Sequence, residues 1–341
     1  MKRTWWYIVM LLAVMLPTAC STIDDDLSDC GNDFELDYEM RLVTNITTEI
    51  NTQLSTAADV NVANALRSHL EEIFTDYARD VDLSFYDTED PQERLSHDQH
   101  VMNASEKSYT LYLPMREYMH LAVANIKDNS VVNLTDDDRC PTSRLALSTG
   151  KDTIDSQTTG LFTARQSMKV LEGVDQTFHV HLYMANCAEA LVINPRGQKY
   201  KDIKVYATGF ATQFHINDSI YAFSEKSPIV RTQKLDTQGG NLCFCAINFP
   251  SSEDGMRTVI ETDFDDGESD RTYWQFRVYV TLEDGSVTET ILGVKKNLSA
   301  GEFKIINAFM GEKGDILTDN TEVGVTVTLD WKDGGQHDID I

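Results

Sequence analysis

Hydrophobic and polar residues alternate along much of this chain. Residues 34–42 show the pattern first, with Phe34, Leu36 and Tyr38 separated by polar residues. A period of two places these apolar side chains on one face of a half-buried β-strand. Similar alternation, or a short apolar run, predicts further strands at 81–85, 109–113, 121–126, 178–184, 190–193, 205–214, 242–247, 258–262, 274–282, 287–294, 303–309 and 323–329.

One segment has the spacing of a helix instead. Between residues 59 and 81, apolar side chains recur every three or four positions, as at Val62, Leu66 and Leu70, which is typical of an amphipathic helix. Asp59 is the predicted N-cap, because its carboxylate can accept hydrogen bonds from the first turn. The polar stretch 127–156 is predicted to be a long loop.

The strands are short and divided by turns, which favours antiparallel β-sandwiches over a parallel sheet. Glu283-Asp284-Gly285-Ser286, for example, predicts a tight turn that joins two strands into a hairpin. The length of 341 residues fits about two domains. We therefore predict a mainly β protein with two sandwich domains, 31–177 and 178–341, the first carrying one amphipathic helix.

The charge balance narrows the possible partners. The chain has 55 acidic and 29 basic residues, for a formal net charge of −26. Nucleic acids and anionic lipid surfaces are bound through clustered Lys and Arg. The charge therefore argues against nucleic acid and against electrostatic docking on a membrane.

Catalytic motifs are missing from the sequence. It contains no G-x-S-x-G, H-E-x-x-H or phosphate-binding glycine loop. His179 and His181 lie two apart on a predicted strand and share a face, which could begin a metal site, but no third ligand is identifiable. The segment Asp263–Asp270 superficially resembles a calcium loop yet lacks the terminal glutamate of an EF-hand. We expect a non-enzymatic protein without a cofactor or metal, with an outward histidine pair and an acidic turn.

The first residues have the features of an export signal. Lys2 and Arg3 precede an apolar run over residues 5–16, which is too short to span a bilayer and typical of a signal peptide. Ala19-Cys20 after this run resembles the lipobox of bacterial lipoproteins, although Pro17 replaces the usual aliphatic residue. The resemblance implies a signal peptide over 1–19 and acyl chains such as palmitate on Cys20. The alternative is an ordinary signal peptide cleaved after Ala19.

An acidic segment follows the predicted lipid site. Asp24, Asp25 and Asp26 lie in a predicted tether over residues 20–30. This run resembles the surface-export signal of lipoproteins from Bacteroidales-type bacteria. The alternative is a solvated acidic linker, which most charge runs are.

Six cysteines are present. Cys243 and Cys245 would share one face of a strand, and we expect them to be small buried core residues rather than metal ligands. Lipidation of Cys20 leaves an odd number, so at least one thiol stays free or pairs between chains. Export permits disulfides, and Cys30 with Cys140 is one candidate pair.

Both ends of the chain resemble one family. Asp26-Leu27-Ser28-Asp29-Cys30 and the strand that follows resemble the start of FimB/Mfa-type fimbrial anchor lipoproteins. The helix followed by residues 83–87 is similar to that family's helix-then-strand step. Trp331-Lys332-Asp333-Gly334-Gly335 after the last strand resembles its C-terminal tail. The departures are Pro17 and the long polar segment 127–156.

The resemblance implies two transthyretin-like β-sandwich domains. It also implies a surface-exposed, lipid-anchored outer-membrane protein that acts as a fimbrial anchor or minor fimbrial subunit in pilus assembly and cell adhesion. Its partners would be fimbrial shaft or accessory subunits, joined by addition of a β-strand to an open sheet edge. An alternative is a surface lipoprotein that binds a glycan or other ligand through Trp274 or Trp331. Both tryptophans adjoin apolar strand residues, so packing is the favoured use for them.

Overall fold

In the computed structural model, the described residues are 32–40, 52, 59–74, 78–89, 94–101, 108–135, 140, 143–148, 153–172, 174–225, 227–251 and 272–328. They contain one helix, α1 (Val60–Ile73), and 22 strands. The first strands are β1 (Asn32–Met40), β2 (Asp80–Asp87), β3 (Arg94–Val101), β4 (Ser108–Leu113), β5 (Glu117–Ala124), β6 (Val132–Thr135), β7 (Arg144–Leu147), β8 (Thr153–Asp155), β9 (Phe162–Lys169) and β10 (Thr177–Met184). The later strands are β11 (Cys187–Asn194), β12 (Asp202–Thr208), β13 (Gln213–His215), β14 (Ile220–Ala222), β15 (Ile229–Arg231), β16 (Gln233–Leu235), β17 (Leu242–Asn248), β18 (Trp274–Thr281), β19 (Val287–Val294), β20 (Phe303–Met310), β21 (Ile316–Leu317) and β22 (Val323–Thr328).

Four sheets make up the described part of the protein, and the predicted fold class is confirmed: the chain is mainly β, and its largely antiparallel sheets pack as β-sandwiches. The strand orders are β3-β2-β5-β9-β10-β1-β4, β16-β17-β11-β20-β21, β22-β19-β18-β12-β15-β8 and β14-β13-β7-β6. Three neighbouring pairs run parallel: β1 with β10, β11 with β20, and β8 with β15. The predicted hairpin of β18 and β19 is present.

The five-stranded sheet is buried on both of its faces. Ala190 and Cys245 on one face join a core shared with α1 and the seven-stranded sheet. Leu191 and Phe244 on the other face join a core shared with the six-stranded sheet. A third core lies between the seven-stranded and four-stranded sheets. The alternation of side chains along β11 and β17 therefore supplies two cores at once.

The helix is shorter than its sequence pattern predicts. Asp59 caps it as expected, since its side chain accepts from the N–H groups of Asn61 and Val62. The helix ends at Ile73, and Val81 belongs to β2. The prediction that the helix reaches residue 81 is wrong because Val81 fits both periods: it continues the helical spacing and begins the alternation of β2.

Four strands lie where the sequence pattern predicts none. β6, β7 and β8 lie within residues 127–156, and β3 lies in a polar segment with no predicted strand. Val132 and Leu145 are nearly fully buried in the third core, so two apolar residues are enough to place β6 and β7. The predicted loop over 127–156 is therefore wrong.

The predicted strand at 205–214 is interrupted at Gly209. This residue has a φ of +106°, and a Cβ there would lie 2.7 Å from the Cα of Trp274. Only glycine tolerates both the conformation and the close approach. The chain therefore breaks into β12 and β13, while the predicted strand at 258–262 lies outside the described residues.

Strands from the first half of the chain complete sheets of the second half. β7 pairs with β13, and β8 pairs with β15. In turn, β10 pairs with β1 and β9 in the seven-stranded sheet. The two halves share these sheets, and the domain limits 31–177 and 178–341 stay a prediction.

Candidate functional site

Two strands at sheet ends stand out because they are both uncharged and longer than the other uncharged end strands. Of the eight strands at sheet ends in the described part of the chain, only β4 and β22 are both uncharged and six residues long. Proteins normally protect an edge by keeping the strand short or placing charges on it. Within the described part of the chain, these two strands therefore lack both of these protections against pairing with another chain.

The β22 edge lies beside a hydrophobic core. Val323 is 8% exposed and belongs to the core of the six-stranded sheet, and Val325 packs against that core. β22 pairs with β19 in antiparallel register from Glu289–Thr328 to Val294–Val323. Among the described strands it has no neighbour on its other side. Its outer backbone groups and half-buried valines offer both the hydrogen bonds and the apolar contacts that an added strand uses.

The β4 edge is similar in chemistry but lies next to the first strand. β4 pairs with β1 from Asn32–Leu113 to Asp37–Ser108. Tyr109 and Leu111 pack against the core, and Tyr112 is 51% exposed. β4 therefore lies close to the start of the described chain, directly after the predicted tether.

A small surface groove lies at one end of the five-stranded sheet. It encloses about 280 Å³ and is lined by Asn194, Arg196, Ile305, Asn307, Ala308, Phe309, Asp319 and Asn320. Arg196, which follows β11, has its guanidinium carbon 3.4 Å from the centre of the Phe309 ring. This cation–π contact covers one face of the only aromatic ring that lines the groove.

The acid Glu189 has a raised pKa and no solvent exposure. Glu189 on β11 is 0% exposed, and Asn248 donates a hydrogen bond to its Oε1. Burial raises the pKa of the Glu189 carboxyl well above its usual range. On the same face, burial also raises the pKa of the Cys187 thiol, which donates to the Asn248 carbonyl oxygen at 3.5 Å. A neutral acid sealed among core strands has no access to a substrate, so its role is structural.

A buried histidine lies in the seven-stranded sheet. His120 is 0% exposed, stacks on Phe85 with ring centres 4.3 Å apart, and has Nδ1 3.1 Å from the Ser84 carbonyl oxygen. Burial lowers its pKa to about 4. The ring is therefore neutral at physiological pH and belongs to the core; the sequence pattern did not distinguish it from the surface histidines.

Several predicted site residues lie outside the described part of the chain: Cys20, Asp24, Asp25, Asp26, Cys30, Asp263–Asp270 and Trp331. Cys140 is a buried thiol whose Sγ donates to Asn217 Oδ1 at 3.2 Å. Its pairing with Cys30 stays a prediction. No helix in the described part of the chain is long and apolar enough to cross a bilayer.

The remaining candidates occupy the predicted environments. Cys243 and Cys245 are fully buried thiols on β17. Trp274 is 1% exposed and donates its indole N–H to the Lys296 carbonyl oxygen, so it cannot form a glycan platform. On β10, His179 is exposed and His181 half-buried, while Val180 between them is fully buried. The outward histidine pair is therefore confirmed.

Comparisons with known proteins were made at three levels. No family model matches the chain, and no curated protein matches it. Among solved structures, a candidate polysaccharide-binding protein from Bacteroides thetaiotaomicron is 11% identical, covering 86% of this chain and 97% of its own, with a TM-score of 0.49. A candidate adhesin from Bacteroides ovatus is 12% identical, covering 80% of this chain and 86% of its own, with a TM-score of 0.49.

The fimbrial anchor protein Mfa2 from Porphyromonas gingivalis is also among the similar structures. It is 10% identical, covering 88% of this chain and 99% of its own, with a TM-score of 0.46. The family suggested by the terminal motifs is thus represented among the similar chains. At this level of identity and TM-score, the likenesses assign no function to the protein.

Proposed function

We propose that this protein is a non-enzymatic, surface-exposed lipoprotein of the outer membrane that acts as a fimbrial anchor or minor fimbrial subunit. The observation that carries the proposal is the uncharged edge strand β22 with its partly covered core. The terminal motifs that resemble fimbrial anchor lipoproteins supply the second support. The names of similar chains, adhesin and fimbrial anchor, are in keeping with this role.

Lipidation would hold the N-terminus of the chain at the membrane. Cys20 is 12 residues before the first residue of β1, and an acyl chain contributes about 0.8 kcal/mol per buried CH₂. Several chains on Cys20 therefore form a firm anchor. Asp24, Asp25 and Asp26 behind it act as the export signal that brings the protein to the outer surface.

The anchor geometry favours β22 over β4 as the acceptor. β4 pairs directly with β1, which follows the tether, so β4 stays near the membrane. β22 lies in the six-stranded sheet and has no pairing with β1 or β4. A shaft subunit that adds a strand at β22 can therefore extend away from the cell.

The lipid is tested separately from the fimbrial role. Cells that express the wild-type chain or Cys20→Ala are labelled with a fatty-acid probe, and Cys140→Ala serves as the control cysteine variant. We expect the label on wild type and on Cys140→Ala and no label on Cys20→Ala. A label that persists in Cys20→Ala places the anchor elsewhere.

The fimbrial role is tested by deletion of the gene. Loss of an anchor should release fimbriae into the medium or change their length, because nothing then terminates and holds the polymer. Complementation with the wild-type chain should restore attachment. Fimbriae that remain attached and unchanged in the deletion strain contradict the role.

Glycan binding is a second candidate, with one observation in its favour. Asn194, Asn307 and Asn320 line the groove beside Asp319, and side-chain amides can exchange hydrogen bonds with sugar hydroxyls. A glycan-array screen with wild type and Asn307→Ala tests it. Specific binding that disappears in the variant supports glycan recognition, and an array without any bound glycan rejects it.

A further inference from the structure

Arg196 has an unusual backbone conformation at one wall of the surface groove. Gln198 donates its N–H to the Pro195 carbonyl oxygen at 2.9 Å, which closes a tight turn. The central residues of this turn, Arg196 and Gly197, have φ of +50° and +76°. A positive φ suits glycine but strains a residue with a long side chain such as arginine. Strain of this kind is concentrated at functional sites, where the surrounding structure maintains it.

The guanidinium of Arg196 is oriented by an aromatic ring rather than by a carboxylate. Its central carbon lies 3.4 Å from the centre of the Phe309 ring. This cation–π contact uses the flat face of the guanidinium and leaves its in-plane N–H donors for another group. Among the residues that the structure describes, no carboxylate forms an ion pair with Arg196, although the chain carries 55 acidic residues. An oriented cation of this kind is suited to an anionic ligand.

Two asparagines that line the groove retain free N–H donors. Asn194 Oδ1 accepts from the Arg196 N–H at 2.8 Å, and Asn320 Oδ1 accepts from the Glu322 N–H at 2.9 Å. Because a backbone N–H needs an oxygen acceptor, these bonds determine which end of each amide is the oxygen. Within the described ranges, neither Nδ2 group donates to another residue. The groove is therefore rich in hydrogen-bond donors.

Asp319 supplies the opposite kind of group. Among the described residues that line the groove, it is the one carboxylate, and it is exposed. It can accept hydrogen bonds from ligand hydroxyls, while its charge disfavours a small inorganic anion. The groove encloses about 280 Å³, near the lower end for small-molecule sites. These features favour a compact ligand that carries both a negative group and hydroxyls.

We propose that the groove binds an acidic saccharide, a sugar that carries a carboxylate besides its hydroxyls. The carboxylate pairs with the Arg196 guanidinium through charge-assisted hydrogen bonds. The hydroxyls accept from Asn194 and Asn320 and donate to Asp319. This inference rests on the glycan-binding candidate described above, whose ligand class it names, and it does not depend on the fimbrial role.

The test compares trigalacturonate with galactotriose, its neutral counterpart. Binding to the full chain is measured by isothermal titration at constant ionic strength, in a detergent without a sugar headgroup. We expect trigalacturonate to bind about tenfold more tightly or better, because a hydrogen bond to a charged group contributes more than a neutral one. Inorganic sulfate, which has no hydroxyl to donate to Asp319, should not compete at the same concentration.

Two variants separate the guanidinium from charge in general. Arg196→Asn removes the guanidinium, and asparagine tolerates a positive φ, so this variant should keep its melting temperature. It should bind both trisaccharides equally weakly. Lys199→Gln is the matched control, because it removes one positive charge from an exposed residue that does not line the groove. This control should retain the preference for trigalacturonate.

The possible failures can be distinguished. A preference for trigalacturonate that survives Arg196→Asn overturns the inference, as does competition by sulfate. Equal binding of the two trisaccharides by the wild-type chain also overturns it but leaves the glycan-binding candidate standing. A wild-type chain that binds neither trisaccharide overturns it as well, and the glycan array then decides whether the glycan-binding candidate stands.

Discussion

Asn241 Nδ2 donates a hydrogen bond to Asp59 Oδ2 at 2.7 Å, across 182 residues of sequence. The other oxygen of the same carboxylate accepts from the Asn61 N–H at 2.9 Å. One side chain therefore caps helix α1 and holds it against the loop between β16 and β17. This contact links helix α1 to the five-stranded sheet.

Removal of the Asp59 carboxylate should lower the free energy of unfolding by more than the loss of an ordinary helix cap does. We expect Asp59→Ala to lower the free energy of unfolding by about 2 kcal/mol, because it loses the cap and the bond to Asn241. Asn241→Ala should cost about 1 kcal/mol. Denaturant unfolding of both variants and of the double variant measures the coupling, and fully additive losses would show that the two side chains do not interact.

The buried acid predicts a stability that depends on pH. Because burial raises the pKa of Glu189 well above its usual range, the folded protein keeps the proton that the unfolded chain releases near pH 4.3. Stability from this group is therefore complete below the unfolded pKa and is lost as the pH rises towards the folded pKa. The loss reaches about 1.4 kcal/mol per pH unit.

Glu189→Gln should remove this dependence while it keeps the bond from Asn248. We expect the variant to be more stable than wild type at pH 8, with the difference shrinking towards pH 4. Glu283→Gln, an exposed residue in the β18–β19 turn, is the control. Parallel stability curves for wild type and Glu189→Gln would contradict a neutral buried carboxyl.

The buried histidine predicts the opposite dependence, in which stability is lost as the pH falls. Burial lowers the pKa of His120 from 6.5 to about 4, so its contribution is present above pH 6.5 and is lost as the pH falls towards 4. The difference amounts to about 3 kcal/mol. We expect His120→Leu to be less sensitive to acid than wild type in this interval, as measured by urea unfolding. An unchanged slope would show that another group causes the acid sensitivity.

Alanine variants at two glycines can distinguish the cost of backbone strain from the cost of a steric clash. Gly209 and Gly197 both have positive φ, but an added Cβ meets the Trp274 backbone at 2.7 Å only at Gly209. We expect Gly197→Ala to cost about 1 kcal/mol from strain alone and Gly209→Ala at least about 2 kcal/mol more. Thermal unfolding of both variants checks the difference, and equal losses would contradict the close approach.

Local patterns predicted the fold class but not the connections between distant strands. The β18–β19 hairpin follows from a turn between two alternating segments. The pairing of β1 with β10 leaves no local trace, because parallel partners need a long crossover. β6, β7 and β8 were missed because three or four residues are too few to show a period.

For the candidate site, too, local features could be predicted from the sequence and long-range ones could not. The valine alternation of β22 was visible in the sequence, whereas its place at a sheet edge was not, since edges depend on the strand order. Glu189 is the only charged residue in the apolar run Cys187–Ile193, and such a lone charge can indicate a buried carboxyl.

Co-purification of fimbrial shaft subunits from solubilised outer membranes tests the central claim most directly. Wild type is compared with Thr326→Lys on β22 and with the matched edge variant Thr110→Lys on β4, because a lysine on an edge strand hinders strand addition. We predict that shaft subunits accompany wild type and Thr110→Lys but are lost from Thr326→Lys. Shaft subunits that remain with Thr326→Lys, or that never accompany the wild-type chain, would contradict strand addition at β22.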